Sequence, residues 1–245
     1  MAEQRAEIDS SLAIGSMPPP SEASVQILNG LSQAAEHMET SLPGFVGMTA
    51  FGSAVRGEAN EDSDGDIFVF VRPDKNSPSQ NHPAAPVEQP LIKTATGATR
   101  NTVEFNPDVR FGYNQLVYAA LKKADIKKAD ITVLPLDESI VTEAVNDLMG
   151  EAQKWDTGVR PLEPAVPRNI RGLFHLPIND RGLQPYIEQV LTALSTGGYG
   201  DTAWRMLRHR VVSFEHRKGS GMEGVEHRYI PATLEEARGY YLHRP

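Results

Sequence analysis

Residues 67–71 form an uninterrupted apolar run, Ile-Phe-Val-Phe-Val, that few folds can accommodate. A strand with one solvated face alternates apolar and polar side chains, whereas this run has no polar face. Its β-branched and aromatic residues also favour extended backbone. The run therefore predicts a buried central strand of a sheet.

Helical and strand patterns alternate on both sides of this run. Apolar residues at helical spacing follow Ser21 and Glu22, which suit the start of a helix, and the pattern stops near Pro43. The predicted elements are helices at about 21–43, 113–124 and 139–155 and strands at 45–51 and 129–134. Together with the central strand, they indicate an α/β (α+β) sheet domain over residues 21–155.

Proline-containing segments divide the chain. Residues 1–20 end in three prolines without a sustained period, which is typical of a flexible N-terminal tail. Residues 72–108 contain six prolines and predict a loop-rich insertion with short strands at 91–92 and 102–105. Residues 156–167 predict a proline-rich linker. A C-terminal helical domain is predicted over residues 168–245, with helices at 183–194, 201–215 and 233–242.

Composition narrows the classes of function. The chain has no cysteine, which excludes disulfides, iron–sulfur clusters and a thiol nucleophile. No apolar run approaches the ~20 residues that cross a bilayer, so neither a membrane span nor a membrane partner is expected. Residues 1–16 lack the pattern of a signal peptide, which predicts a cytoplasmic location.

The distribution of charge is uneven. The net charge of −8 disfavours binding to long nucleic acids, because such binding depends on Lys and Arg replacing condensed counterions. Before Val159 the chain has 12 basic and 23 acidic residues, and after it 12 basic and 9 acidic residues. The acidic half suits cations and the basic half suits phosphates.

Residues that suit a nucleotide site flank the central strand. Asp64 and Asp66 stand two residues apart at its start, and alternation along a strand points both carboxylates to one face. Like charges this close repel unless a cation neutralises them, and Mg²⁺ prefers carboxylate oxygens together with substrate phosphates. Upstream, Gly52 and Ser53 break a strand, where a glycine lets the backbone approach a phosphate. The two pieces predict an Mg²⁺–nucleotide site.

The same residues resemble the signature of the DNA polymerase beta superfamily of nucleotidyltransferases. That signature is a hydrophobic residue, Gly-Ser, a variable spacer, and Asp-x-Asp entering a hydrophobic strand. Here it corresponds to Phe-Gly-Ser at 51–53 and Asp-Gly-Asp at 64–66. The surroundings are similar to small bacterial members, including the minimal and the aminoglycoside nucleotidyltransferases. Gly65 departs from this signature, which often has a larger apolar residue between the two aspartates. The glycine lowers the local strand propensity and leaves the carboxylates in place.

The resemblance implies a third carboxylate on a neighbouring strand. Asp130, in the strand predicted at 129–134, fits this role best, and Glu104 is the alternative. By the same resemblance, Asp64, Asp66 and Asp130 would together bind two Mg²⁺ ions. Asp130 could also accept the proton of the attacking hydroxyl.

The resemblance further implies the nucleotide site and the reaction. Gly52 and Ser53 would hold the outer phosphates of a nucleoside triphosphate, with ATP the expected substrate. Arg56 would either assist them electrostatically or be an exposed side chain beside the loop. The reaction would transfer a nucleoside monophosphate to an acceptor hydroxyl and release pyrophosphate.

The acceptor stays open at this point. A small molecule is favoured, because a helical domain beside the catalytic domain can close an acceptor cleft. The alternatives are a toxin–antitoxin type of enzyme that modifies a protein or tRNA, and a catalytically inactive nucleotide-binding or regulatory module. A basic cluster at 205–218 is either solvated surface or a contact for an anionic group.

Overall fold

The computed structural model describes residues 20–72, 92–93, 99–100, 107–158, 165–216 and 230–242. Nearly all of the predicted tail, most of the predicted insertion and half of the predicted linker therefore lie outside the described residues. The elements, in chain order, are α1 (Glu22–Ser41), β1 (Phe45–Phe51), β2 (Gly65–Val71), β3 (Ile92–Lys93), β4 (Thr99–Arg100), α2 (Pro107–Lys123), β5 (Ala129–Pro135), α3 (Glu138–Asp156), α4 (Arg168–Leu173), β6 (Leu176–Asn179), α5 (Gln184–Thr196), α6 (Gly200–His216) and α7 (Leu234–Leu242). The predicted mixed α/β fold class is confirmed.

A four-stranded mixed sheet lies at the centre, in the order β5-β2-β1-β6. Strand β2 is parallel to β5 and antiparallel to β1, which is in turn antiparallel to β6. All seven residues of β2 are buried, as the apolar run predicts. The two-residue strands β3 and β4 pair separately with each other.

Helices cover both faces of this sheet. Successive side chains of β2 point to opposite faces, so the strand contributes to two separate hydrophobic cores. Ile67, Val69 and Val71 belong to a core shared with α1 and α2. Phe68 and Phe70 belong to a second core shared with α3, α4, α5, α6 and α7. The C-terminal helices thus pack on the same sheet face as the even-numbered residues of β2.

The helix starts follow ordinary capping chemistry. Ser21 Oγ accepts a hydrogen bond from Ser24 N at 3.1 Å, and Asp137 Oδ1 accepts one from Ile140 N at 2.8 Å. Thr233 similarly accepts from the backbone N–H of Glu236 at 3.1 Å. The helix predicted from Asp201 begins at Gly200, which places Asp201 in its first turn. No helix within the described ranges is long and apolar enough to cross a membrane.

The structure adds a strand that the sequence pattern did not predict. Strand β6 follows α4 and pairs with β1, as in Thr49 with Pro177. Four residues are too few to show alternation, and a proline is compatible with a strand only at an edge, which is where β6 lies. The division into catalytic and helical domains at 156–167 stays a prediction.

Candidate active site

Two of the predicted carboxylates are direct neighbours at one end of the sheet. Asp66 on β2 pairs with Asp130 on β5, and on its other side with Phe51 on β1. Paired residues on adjacent strands project to the same face, with strands about 4.8 Å apart. Asp66 is only 6% exposed, whereas Asp130 is exposed. The sheet thus presents one buried and one accessible carboxylate side by side.

Gly52 lies against the Asp66 carboxylate. Its φ is +83°, a conformation that side chains other than glycine adopt at a cost. A Cβ at this position would also collide with Asp66 Oδ2. Glycine is therefore required here both by the backbone angle and by the space that the carboxylate occupies.

The segment after Gly52 is a hydrogen-bonded turn and not the start of a helix. Arg56 N donates to Gly52 O at 3.2 Å, and Glu58 N donates to Ser53 O at 2.9 Å. Gly57 N likewise donates to a carbonyl within the turn. The N–H groups of residues 56–58 are thus engaged inside the turn, and a phosphate would have to approach its beginning, at Gly52 and Ser53.

Arg56 is held by the same turn. Its Nε lies 2.9 Å from Glu58 Oε2, and its side chain is 9% exposed. Neighbouring Ser53 is half-buried. The structure therefore pairs the Arg56 guanidinium with an acidic residue two positions along the chain.

Asp64 precedes β2, which begins at Gly65, so strand alternation does not fix its direction. Asp64 is half-buried. The next residue, Gly65, donates its backbone N–H to the carbonyl of Lys128 at 3.0 Å, and this bond links the end of the loop to the residue before β5. Within the described ranges, no three His, Asp or Glu side chains form a group that could hold a metal ion. Strand register brings Asp66 and Asp130 side by side, whereas Asp64 lies before β2 and has no such register partner. Glu104 lies outside the described residues.

The predicted basic cluster at 205–218 is partly engaged within the protein. Arg205 Nη2 donates to Thr202 Oγ1 at 2.9 Å, and Arg208 Nε donates to Ile230 O at 3.3 Å. Residues 217 and 218 lie outside the described residues. A separate cleft of about 580 Å³ opens beside the loop between α5 and α6, and none of the predicted site residues lines it.

Sequence reasoning missed His175, which lies between α4 and β6. It is 1% exposed, and its ring centroid lies 5.3 Å from those of Phe51 and Phe68. Phe51 pairs with Asp66, and Phe68 follows Asp66 by two positions on the same face. No local pattern marks His175, because only the return of the chain through β6 brings it to this face.

Comparison with known families identifies the family of this chain. A family described as a nucleotidyltransferase domain matches residues 31–153, about half of the chain. The chain belongs to this nucleotidyltransferase family. Neither the curated proteins nor the solved structures give a match. The matched range runs from within α1 to within α3 and includes Gly52, Asp66 and Asp130, so the family inferred from the motif is confirmed.

Proposed function

We propose that this nucleotidyltransferase moves a nucleoside monophosphate from a nucleoside triphosphate to an acceptor hydroxyl at the sheet end that carries Asp66 and Asp130. The observation that carries the proposal is the register of these two carboxylates beside Gly52. Nucleotidyl transfer follows from the family. The identities of the metal, the nucleotide and the acceptor are proposed from the residues around this sheet end.

The donor chemistry at this sheet end fits a divalent cation. Two carboxylates on adjacent strands repel each other, and the repulsion is stronger for a buried group such as Asp66 than it would be in water. Oxygen ligands of this kind are those that Mg²⁺ prefers. We assign Asp66 and Asp130 as the core of the metal site and Asp64, from its place in the motif, as the third ligand of two Mg²⁺ ions. Bound Mg²⁺ would neutralise the phosphates and lower the pKa of the acceptor hydroxyl.

Asp66 and Asp130 have different proposed roles in the bond changes and the proton transfer of the reaction. The acceptor oxygen forms a bond to the α-phosphorus, the bond from that phosphorus to the bridging oxygen of the β-phosphate breaks, and pyrophosphate leaves. Asp130 is exposed and can reach the acceptor, so we assign it the hydroxyl proton. Asp66 is buried and lies against Gly52. This position suits a metal ligand with a fixed orientation better than a group that exchanges protons with solvent.

The start of the glycine turn is the proposed phosphate site. Gly52 has no side chain to keep a phosphate away, and Ser53 supplies a hydroxyl and an N–H group at the same point. Arg56 is the proposed electrostatic helper, and it would act from within its ion pair with Glu58. ATP is the proposed nucleotide.

A small molecule is the proposed acceptor. The C-terminal helices share a core with Phe51 and Phe68, on the sheet face that carries Asp66 and Asp130. A layer at this position can enclose a small acceptor, and the net charge of −8 disfavours a long nucleic acid.

The test is transfer of label from α-³²P nucleoside triphosphates, with Mg²⁺ and pooled small-molecule, protein and tRNA acceptors. We expect Asp66→Asn and Asp130→Asn each to lower transfer by at least about a hundredfold, the scale of losing a group that acts in the transition state. Asp62→Asn is the matched control, since Asp62 lies in the same acidic loop with a side chain 96% exposed. Equal activity of all three variants would overturn the assignment, and the pool that accepts label would identify the acceptor class.

A further inference from the structure

Buried polar side chains are concentrated around the sheet face that carries Asp66. Burying such groups costs free energy unless an interaction compensates for it. Seven are buried in the described ranges, and five of them lie on this face or on the covering segment, defined as residues 168–179. These five are Thr49, Asp66, Asn169, Arg171 and His175.

The covering segment is fixed to the sheet at several points. Asn169 Nδ2 donates to the carbonyl of Pro135 on β5 at 2.7 Å. The carbonyl of Gly172 accepts from Thr49 Oγ1 on β1 at 2.8 Å. A Cβ at Gly172 would lie 2.9 Å from the Phe70 ring, so the backbone of the segment rests on the aromatic side chains of β2. Its last four residues form β6. The position of His175 is thus set by backbone anchored on both sides.

His175 completes a cluster of three rings that borders Asp66. The ring centroids of Phe51 and Phe68 are 4.7 Å apart, and His175 lies 5.3 Å from each. Both phenylalanines are neighbours of Asp66 on its face of the sheet. A third phenylalanine would fill this position without burying polar atoms. An imidazole at this position instead brings two ring nitrogens to the face that carries Asp66.

We propose that His175 is a positioning residue, whose imidazole holds the Asp66 carboxylate in the orientation that binds metal. Carboxylates that bind metals are themselves oriented by hydrogen-bonding neighbours, and loss of such a neighbour typically costs about 10- to 100-fold in metal affinity or activity. The consequence for catalysis rests on the proposed function, whereas the effect on Asp66 does not.

The decisive variant is His175→Phe, which keeps the ring and removes its polar atoms. We expect it to retain the thermal stability of the wild type, to weaken Mn²⁺ binding measured by calorimetry about tenfold, and to lower kcat with little change in the KM for nucleotide. Phe174→Leu is the matched control, since Phe174 is fully buried against Trp204 and Tyr241. We expect it to lower the melting temperature and to leave Mn²⁺ affinity unchanged.

The ¹³C resonance of the Asp66 side-chain carboxyl in the metal-free protein gives a readout that needs neither metal nor activity. It should move in His175→Phe and not in Phe174→Leu. If His175→Phe proves unstable, His175→Gln, which keeps polar atoms, should retain more Mn²⁺ affinity than His175→Leu, which has none. An unchanged resonance with Mn²⁺ affinity equal to the wild type would overturn the inference. Absence of Mn²⁺ binding and transfer in the wild type, with a resonance that still moves, would overturn the proposed function alone.

Discussion

Replacing Gly52 with alanine tests the close approach between the glycine turn and Asp66. The φ of +83° costs a residue with a Cβ about 1–2 kcal/mol. The new Cβ would also collide with Asp66 Oδ2, and crowding of this kind costs about 1–3 kcal/mol more. The expected loss of unfolding free energy is therefore about 2–5 kcal/mol. For a chain of this size each 1 kcal/mol lowers the melting temperature by about 2–4 °C.

Gly158→Ala separates the two contributions. Gly158 has a φ of +93°, and among the described residues, its chain neighbours aside, no atom lies within 4 Å of the position that its Cβ would take. This variant therefore carries the cost of the backbone angle without the collision. Thermal unfolding of both variants, with nucleotidyl transfer measured on each, gives the contribution of the Asp66 contact by difference. We expect Gly52→Ala to be the less stable of the two and to lose transfer activity. Equal melting temperatures with full activity in Gly52→Ala would show that the turn does not need a glycine beside Asp66.

Three further predictions concern the hydrogen bonds and the packing that join the sheet to the helices. Thr49→Val removes the hydrogen bond to the buried carbonyl of Gly172 and should lower the free energy of unfolding in urea by about 1–3 kcal/mol. A change below about 0.3 kcal/mol would show that the carbonyl finds another donor. Tyr186→Phe removes the 2.7 Å hydrogen bond from Arg72 Nη2, which should cost about 0.5–1.5 kcal/mol. That bond also raises the pKa of Arg72 above its ordinary value, so the guanidinium stays charged and the loss should be the same at pH 6 and pH 8. A loss that differs between the two pH values would contradict this reasoning. Val69→Ala, in the fully buried strand β2, should cost about 2–4 kcal/mol by thermal unfolding, and a cost below 1 kcal/mol would contradict the packing described for this core.

Much of the fold could be predicted because its signals are local. The apolar run at 67–71 has no polar face and becomes β2, which is buried along its whole length. Ser21 and Asp137 are followed by helices that their side chains cap. The family could be inferred for a related reason, since its motif is contained in residues 51–66 and the spacing along the chain carries the signal.

The parts that could not be predicted depend on contacts between distant segments. Strand β6 has four residues and a proline, and it is extended because β1 offers it an edge. His175 reaches the Asp66 face only through this pairing. Asp64 lies before the first residue of β2, so strand alternation does not determine where it points, and its role as a metal ligand stays a prediction. Asp130 lies opposite Asp66 in the parallel pair of β5 and β2, and its role as the third carboxylate stays a prediction.

The proposed function requires Asp66 and Asp130 to form the metal and nucleotide site together. The most direct test is a crystal structure of the whole chain with Mn²⁺ and a non-hydrolysable ATP analogue, with anomalous scattering used to locate the metal. We predict an anomalous peak in contact with both carboxylates, with the triphosphate at the turn that begins at Gly52 and Ser53. A bound nucleotide whose metal contacts neither Asp66 nor Asp130 would contradict the account.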